Sequence, residues 1–360
     1  MTIRLMPFTH LPSSTITART MAVDLGGQLK VLKYPQVHFI EKVQKRVEKY
    51  PKMSSYLAHE ATSVLQRGPY FQSGCEHDIF FFLLHVQVHM QYLEAGADVI
   101  ISSSYQATIP GFLARGLLME EAEGLLRTSV QLALEARDEF WKSALRKSKP
   151  VYNRALVAAS VGSYGAYLAD GSEYSGSYGD DITVEKLKDF HRRRLQVLAS
   201  ARPDLVAFEA IPNKMEAQAL VELLEEEDIQ VPSWICFSSV DGKHLCSGES
   251  FEDCLQIINA SEKVAIVGVN CTPPQFVEGI IRDFKKQTQK AIAVYPNSGE
   301  VWDGRAKRWL PVECFGRKSF DVMAKRWQEA GASLIGGCCR TTPSTIRAVS
   351  KALKGRTGHY

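Results

Sequence analysis

No apolar stretch in this sequence reaches the ~18 residues that a membrane-spanning helix requires. The densest run, Ile79 to Leu84, is interrupted by His85, and membrane insertion is not expected. Charge of one sign is equally scarce. The balance of 43 basic against 40 acidic residues leaves a formal net charge of +3, too little to draw nucleic acid or an anionic lipid surface. A glycine-rich phosphate loop is also missing. Neither G-x-G-x-x-G nor a P-loop follows an early strand-like run, which argues against a doubly wound nucleotide-binding sheet. No acid occurs before Asp24, while Arg4, Ser13, Ser14, Thr15, Thr17, Arg19 and Thr20 do. That composition fits a transit peptide and fits equally a disordered terminus over residues 1–20, which is the expectation adopted. Cysteine is present but dispersed, eight over 360 residues, as in a reducing compartment rather than a disulfide scaffold. A cytoplasmic location is expected, with organelle import left open.

What the chain does contain is organised around one stretch near its C-terminus, Leu334-Ile335-Gly336-Gly337-Cys338-Cys339-Arg340-Thr341-Thr342-Pro343. Adjacent cysteines do not readily bridge each other, because neighbouring Cα atoms lie about 3.8 Å apart, below the usual disulfide span. They are better placed to grip one soft ion. Gly336 and Gly337 free the backbone to turn, and Thr342-Pro343 reads as a helix start. A metal site needs a further ligand, and one run has matching context: Ala265 to Cys271 is apolar and ends in Cys before Thr272-Pro273-Pro274. Cys271, Cys338 and Cys339 therefore each fall at the end of a strand-like segment. Three thiolates with one open position is the pattern of a catalytic zinc site. The plain alternative is that each is a small buried core residue.

From Gln87 onward the text alternates between helical and strand-like runs. Strands are predicted at 98–104, 155–161, 205–210, 233–239, 264–271, 291–296 and 334–339. Helices are predicted at 119–147, 184–200, 214–227, 250–260, 274–287 and 320–330. The strands are mostly apolar rather than alternating, as in a parallel sheet buried on both faces. Seven strand–helix units ask for an eighth to close an α/β barrel of the (β/α)8 TIM type, whose active site lies at the C-terminal ends of the strands. The weak run at residues 21–27 is the available first strand. The expected organisation is thus a barrel over 21–353, irregular through 87, with a tail at 354–360. A long loop rich in Gly, Ser and Tyr, 162–181, sits at the functional face.

Several motifs in register resemble the homocysteine S-methyltransferase family, in particular its plant-type, S-methylmethionine-using members. They are Tyr92-Leu93-Glu94-Ala95-Gly96-Ala97-Asp98, Ser103-Ser104-Tyr105-Gln106-Ala107-Thr108, Ser160-Val161-Gly162-Ser163-Tyr164-Gly165, Phe208-Glu209, Gly268-Val269-Asn270-Cys271, Tyr295-Pro296-Asn297-Ser298-Gly299-Glu300 and Gly336-Gly337-Cys338-Cys339-Arg340. The resemblance covers residues 88–353. It departs at the N-terminus, where Asp24-Leu25-Gly26-Gly27 is a disturbed form of the family's Asp-Gly-Gly first strand.

The resemblance implies a zinc-containing (β/α)8 barrel that transfers a methyl group from a small sulfonium donor to homocysteine, forming methionine. Cys271, Cys338 and Cys339 would be the zinc ligands. Glu209, with Asp24 as a weaker partner, would hold the homocysteine ammonium. Ser104, Gln106 and Asn270 would orient carboxylate or amino groups, and the aromatic set Tyr105, Tyr164, Tyr167 and Tyr295 would face the donor cation. S-methylmethionine is the expected donor, with S-adenosylmethionine second. Selenocysteine as acceptor and a catalytically inactive barrel are the alternatives. The protein would be a monomer or small homo-oligomer, without nucleic-acid or membrane partners. The basic run His191-Arg192-Arg193-Arg194 reads as a solvated helix face, and Cys236, Cys246, Cys254 and Cys314 read as inert.

Overall fold

The computed structural model describes residues 2–5, 76–146, 154–299, 301–303, 308–310 and 319–354. In chain order its strands are β1 (Thr2–Leu5), β2 (Val99–Ile101), β3 (Leu156–Gly162), β4 (Leu205–Ile211), β5 (Ser233–Phe237), β6 (Val264–Asn270), β7 (Ala291–Tyr295), β8 (Val301–Asp303), β9 (Arg308–Leu310) and β10 (Leu334–Gly337). β2 through β7 and then β10 form a continuous parallel sheet in sequence order, and β8 and β9 pair as a separate hairpin. β1 closes the ring, antiparallel to β10 on one side and to β2 on the other.

The barrel is the expected one, with a different closing strand. Thr2–Leu5 supplies it, Ile3 pairing with Gly336 and with Val99, while residues 6–20 of the terminus expected to be disordered lie outside the described residues. The run at residues 21–27, Asp24 included, lies outside the described residues, as do most of residues 1–75 and all of 355–360.

The helices follow the sequence because their ends are marked chemically. Thr183 caps Val184–Ser200, Asn213 caps Lys214–Glu226 and Ser250 caps Phe251–Asn259, each side-chain oxygen accepting a backbone N–H of the first turn. Pro274 and Pro343 open Pro274–Gln287 and Pro343–Lys354. None of the described helices is long and apolar enough to cross a membrane.

Two apolar layers flank the strands. Inside the barrel lie Val99, Ile101, Ala158, Leu205, Ala207, Trp234, Cys236, Ile266, Ala293, Tyr295 and Leu334. Between strands and helices lie residues of opposite parity, such as Val206, Phe208, Ile235, Val267 and Val294, packed with Leu195, Leu220, Leu255, Ile281 and Trp327. Because strand side chains alternate, this parity decides which polar residues face inward. On β4, inward Leu205 and Ala207 are followed by Glu209. On β3, inward Ala158 is followed by Ser160. On β6, outward Val267 and Val269 leave Gly268 and Asn270 inward. Gly268 is required there, since a Cβ would stand 1.8 Å from the Ala293 carbonyl oxygen of β7.

Candidate metal and substrate site

The strands β6 and β10 end on Cys271 and on Cys338-Cys339, and β7 between them locks the two ends together. Cys338 N donates to Pro296 O at 2.8 Å, Ser298 N donates to Cys339 O at 3.0 Å, and Asn297 Nδ2 donates to Cys271 O at 3.2 Å. Cys271 and Arg340 adopt left-handed backbone conformations, φ +49° and +65°. For non-glycine residues this costs energy that the surrounding hydrogen bonds must hold in place. Thr341 folds back, its Oγ1 donating to Cys338 O at 2.7 Å, and lies so close over Gly337 that a Cβ there would meet it at 2.6 Å.

This folding brings the three sulfurs together. Cys271 and Cys339 are 3.9 Å apart and Cys338 and Cys339 3.8 Å. Both match the edge of about 3.8 Å that a tetrahedron with ~2.3 Å metal–sulfur bonds requires. The third edge, Cys271 to Cys338, is 2.8 Å, longer than a disulfide, so all three thiols are free, and a metal would spread this pair by about 1 Å. Among the described residues these three form a group able to hold a metal ion, and an all-thiolate set of three suits zinc. The hydrogen bonds from Cys271 and Cys338 hold the Cys339 thiol well below its ordinary range.

Beside the sulfurs, the barrel mouth is floored by a polar network. Glu209 is completely buried, and burial pushes its carboxyl up to about 7. Ser160 Oγ donates to Glu209 Oε2, while Oε1 is buried without a partner among the described residues. Ser160 is fixed in turn: its carbonyl accepts from Ser104 Oγ at 2.8 Å and its N–H donates to Ser102 Oγ at 3.0 Å. The Ser102 hydroxyl donates to Ser104 Oγ at 2.7 Å, since the Ser104 proton is already committed. The buried Tyr295 phenol lies beside Glu209 and accepts from Trp234 Nε1 at 3.1 Å. Asn213 caps the helix that follows β4.

Asn270 joins the two parts. Its Oδ1 accepts from Ala210 N at 2.7 Å, and its Nδ2 donates to Cys271 Sγ at 3.7 Å. Ala210 sits in a left-handed conformation, φ +54°, inside a register shift on β4 between Phe208 and Ile211.

Of the other residues singled out in the sequence, Tyr105 lies in the field of Cys271 and Cys338, and burial raises its phenol. Its carbonyl accepts from Gly162 N at 3.1 Å. Gln106 Nε2 donates to Ala166 O at 3.3 Å. Tyr164 packs with Tyr167, Tyr178 and Phe190, with ring centroids 6.0, 5.3 and 4.9 Å away. Ser104 is tied to backbone, and Asp24 lies outside the described residues.

Two features escape a sequence reading. His191 and Arg194, expected on a solvated face, are buried together with Glu216. Arg194 Nη2 donates to Gly162 O at 2.6 Å and to His191 Nδ1 at 2.8 Å, which leaves the His191 proton on Nε2, donating to Glu216 Oε1 at 2.8 Å. Glu216 also accepts from Tyr164 N at 2.6 Å and from Tyr178 OH at 2.5 Å, so it anchors the 162–181 loop from below. Their spacing was the available signal, because 191 and 194 share a helix face with buried Leu187, Leu195 and Leu198. Arg192 and Arg193 do face outward, paired with Glu226 and Glu123. The second feature is Tyr174, half-exposed in the same loop, whose phenol lies in the field of Cys271 and Cys339. Cys236, expected to be inert, lies inside the barrel beside Tyr295 and Glu209, its thiol raised by burial.

The sequence model of the family described as "Homocysteine S-methyltransferase" matches residues 60–353. A maize (Zea mays) protein, "Homocysteine S-methyltransferase 1", is 87% identical over 273 residues, which cover 76% of this chain and 84% of the maize one. A "Selenocysteine Se-methyltransferase" from Brassica oleracea var. italica is 54% identical over 281 residues, 76% of this chain and 80% of its own. Among solved structures, the metallated form of the homocysteine methyltransferase MmuM from Escherichia coli superposes with a TM-score of 0.65 at 36% identity. It covers 76% of this chain and 85% of that one. With the family's sequence pattern spanning most of the chain and its barrel reproduced in three dimensions, this protein belongs to the homocysteine S-methyltransferase family.

Proposed function

We propose that this chain transfers the methyl group of S-methylmethionine to the sulfur of homocysteine, with zinc held by Cys271, Cys338 and Cys339. The observation that carries the reading is the convergence of three free thiols at one barrel mouth, within 3.9 Å of one another, beside a buried carboxylate with an unpartnered oxygen. When bound there, zinc supplies the Lewis acidity that keeps a thiol deprotonated near neutral pH.

The chain's own groups do the rest. Glu209 offers Oε1 to the homocysteine ammonium, while Ser160 holds the other oxygen and fixes the carboxylate's direction. Asn270 keeps the Glu209 strand end and the Cys271 sulfur in one register. Tyr105, Tyr174 and Tyr295 make the wall against which a weakly hydrated sulfonium can sit, shielded from water. The acceptor thiol gives its proton to solvent. Its sulfur then forms a bond to the methyl carbon as the donor's carbon–sulfur bond breaks, and the donor leaves as a neutral thioether. With S-methylmethionine both products are methionine.

S-adenosylmethionine is the second donor in this reading. Selenocysteine is a second acceptor, favoured by the similarity to a selenocysteine Se-methyltransferase and by the shared chemistry of thiolate and selenolate. A different reading, binding without turnover, is motivated by β1, which closes the ring antiparallel where a (β/α)8 barrel has a parallel first strand. The test is methionine formation by zinc-loaded full-length protein with homocysteine, offering S-methylmethionine, S-adenosylmethionine and betaine separately, then selenocysteine as acceptor. Product from S-methylmethionine that disappears in Cys271→Ala supports the proposal. Stoichiometric zinc without product from any donor supports the inactive reading.

A further inference from the structure

The 162–181 loop contains a carboxylate that none of the steps above uses. Glu173 lies on a single helical turn, Ser172–Ser175. The turn is tied down on three sides. Asp170 accepts from Ser172 N at 2.9 Å and from the Ser172 hydroxyl. Asn213 Nδ2 donates to Gly176 O at 2.9 Å. The backbone of Glu173 presses on Gly165 so closely that a Cβ at Gly165 would meet Glu173 N at 2.5 Å. The Glu173 side chain is thus placed by a fixed backbone.

Its electrostatics are unfinished. Oε2 is buried and has no hydrogen-bond partner among the described residues. The charge beside it, Asp170, has the same sign, and burial raises the carboxyl. An anion in this condition is costly unless a cation completes it. Its position says which cation. The phenols of Tyr105 and Tyr174 each lie in the field of Glu173 and also of Cys271 and Cys338. Carboxylate, aromatic rings and sulfurs are therefore neighbours. An anion beside aromatic side chains favours a weakly hydrated organic cation over a small, strongly hydrated one.

We infer that Glu173 is the binding residue for the positive charge of the methyl donor, with Tyr105 and Tyr174 as the aromatic wall of the same subsite. The inference rests on the proposal that the donor is a sulfonium, and it adds the residue that reads the charge. Glu209 and Glu173 then divide the work: the first holds the acceptor amino acid inside the barrel, and the second attracts the donor from the loop. After transfer the donor's sulfur is an uncharged thioether, and the attraction of Glu173 for the sulfonium is lost, which favours product release.

The test uses full-length, zinc-loaded protein and the isosteric variant Glu173→Gln, with Glu173→Asp as the charge-retaining control. Loss of a charge-assisted contact should raise the S-methylmethionine KM by about tenfold or more, with the homocysteine KM within about twofold of wild type and Glu173→Asp in between. Isothermal titration without acceptor should show the same loss of S-methylmethionine affinity. Affinity for its uncharged carbon isostere should stay level. An unaltered donor KM in Glu173→Gln overturns the inference. So does an equal loss for cation and isostere, or a parallel rise in the homocysteine KM, because each assigns Glu173 a merely structural part. If Glu173→Gln does not fold, the comparison is made with Glu173→Asp against wild type and judged on cation-over-isostere preference. Wild-type protein that neither binds nor turns over any sulfonium overturns the donor reading and this inference with it, whereas an active wild type with an indifferent variant overturns this inference alone.

Discussion

Asn270 Oδ1 accepts the Ala210 amide at 2.7 Å, so a side chain on β6 holds the irregular end of β4 that carries Glu209. The same amide's Nδ2 donates to Cys271 Sγ. Asn270→Ala leaves the Ala210 N–H without its acceptor in a buried setting. It should cost about 1–3 kcal/mol in chemical denaturation. Because the variant also removes a hydrogen bond to a thiolate, metal affinity should fall roughly tenfold to a hundredfold in competition with a chelator. Unchanged stability and unchanged metal affinity would show that Asn270 positions neither group.

Glu209 makes stability depend on pH in an identifiable direction. Burial raises its carboxyl from 4.5 to about 7, so between those values the folded protein holds a proton that the unfolded chain has released. Native binding of the extra proton means that stability falls as pH rises through this window, and the cost is complete above about 7. In metal-free protein, wild type should therefore lose stability relative to Glu209→Gln between pH 5 and pH 8. Denaturation midpoints at four pH values in that range measure the difference, and parallel curves would contradict it.

Arg194 should matter although it touches none of the cysteines. Arg194→Met removes the cation of a buried Arg194–His191–Glu216 chain and the donor to Gly162 O. Removing one partner of such a pair costs about 3–5 kcal/mol. Zinc content should remain one per chain. The donor KM should rise, since the loop bearing Tyr174 loses its anchor while the metal ligands lie on other strands. A fall in zinc content with a normal donor KM would reverse this assignment.

Metal binding itself should stabilise the fold. Each of Cys271→Ala, Cys338→Ala and Cys339→Ala should abolish stoichiometric zinc. Chelation of wild type should lower its melting temperature, because an ion bound only by the native state adds its binding energy to folding. Full zinc retention in any one variant would remove that cysteine from the ligand set.

Much of this was legible in the sequence, and the limits have physical causes. Helices such as Val184–Ser200, Pro274–Gln287 and Phe320–Ala330 end where the sequence places them, because caps and prolines act locally. The cysteine pair was legible because glycines and a strand end accompany it. Glu209 and Asn270 were legible through the family motifs that carry them, whereas the parity that turns them inward shows only in the packed barrel. His191 and Arg194 look solvated in the sequence because their burial depends on a partner, Glu216, that a different helix supplies. Glu173 and Tyr174 lie on a short turn that gives no periodic signal, and its place follows from Gly165 and Asn213 holding it there. The closing strand Thr2–Leu5 was hidden for a related reason. Its pairing with β10 and β2 is long-range, and four residues carry too little pattern to announce it.

The most direct test of the account is the rate of methionine formation by the full-length, zinc-loaded chain from homocysteine and S-methylmethionine. The account expects product at one zinc per chain, with no product after Cys338→Ala or after zinc removal and recovery when zinc is returned. A folded protein that binds one zinc and forms no product, or one whose turnover is indifferent to loss of the three thiols, would contradict it.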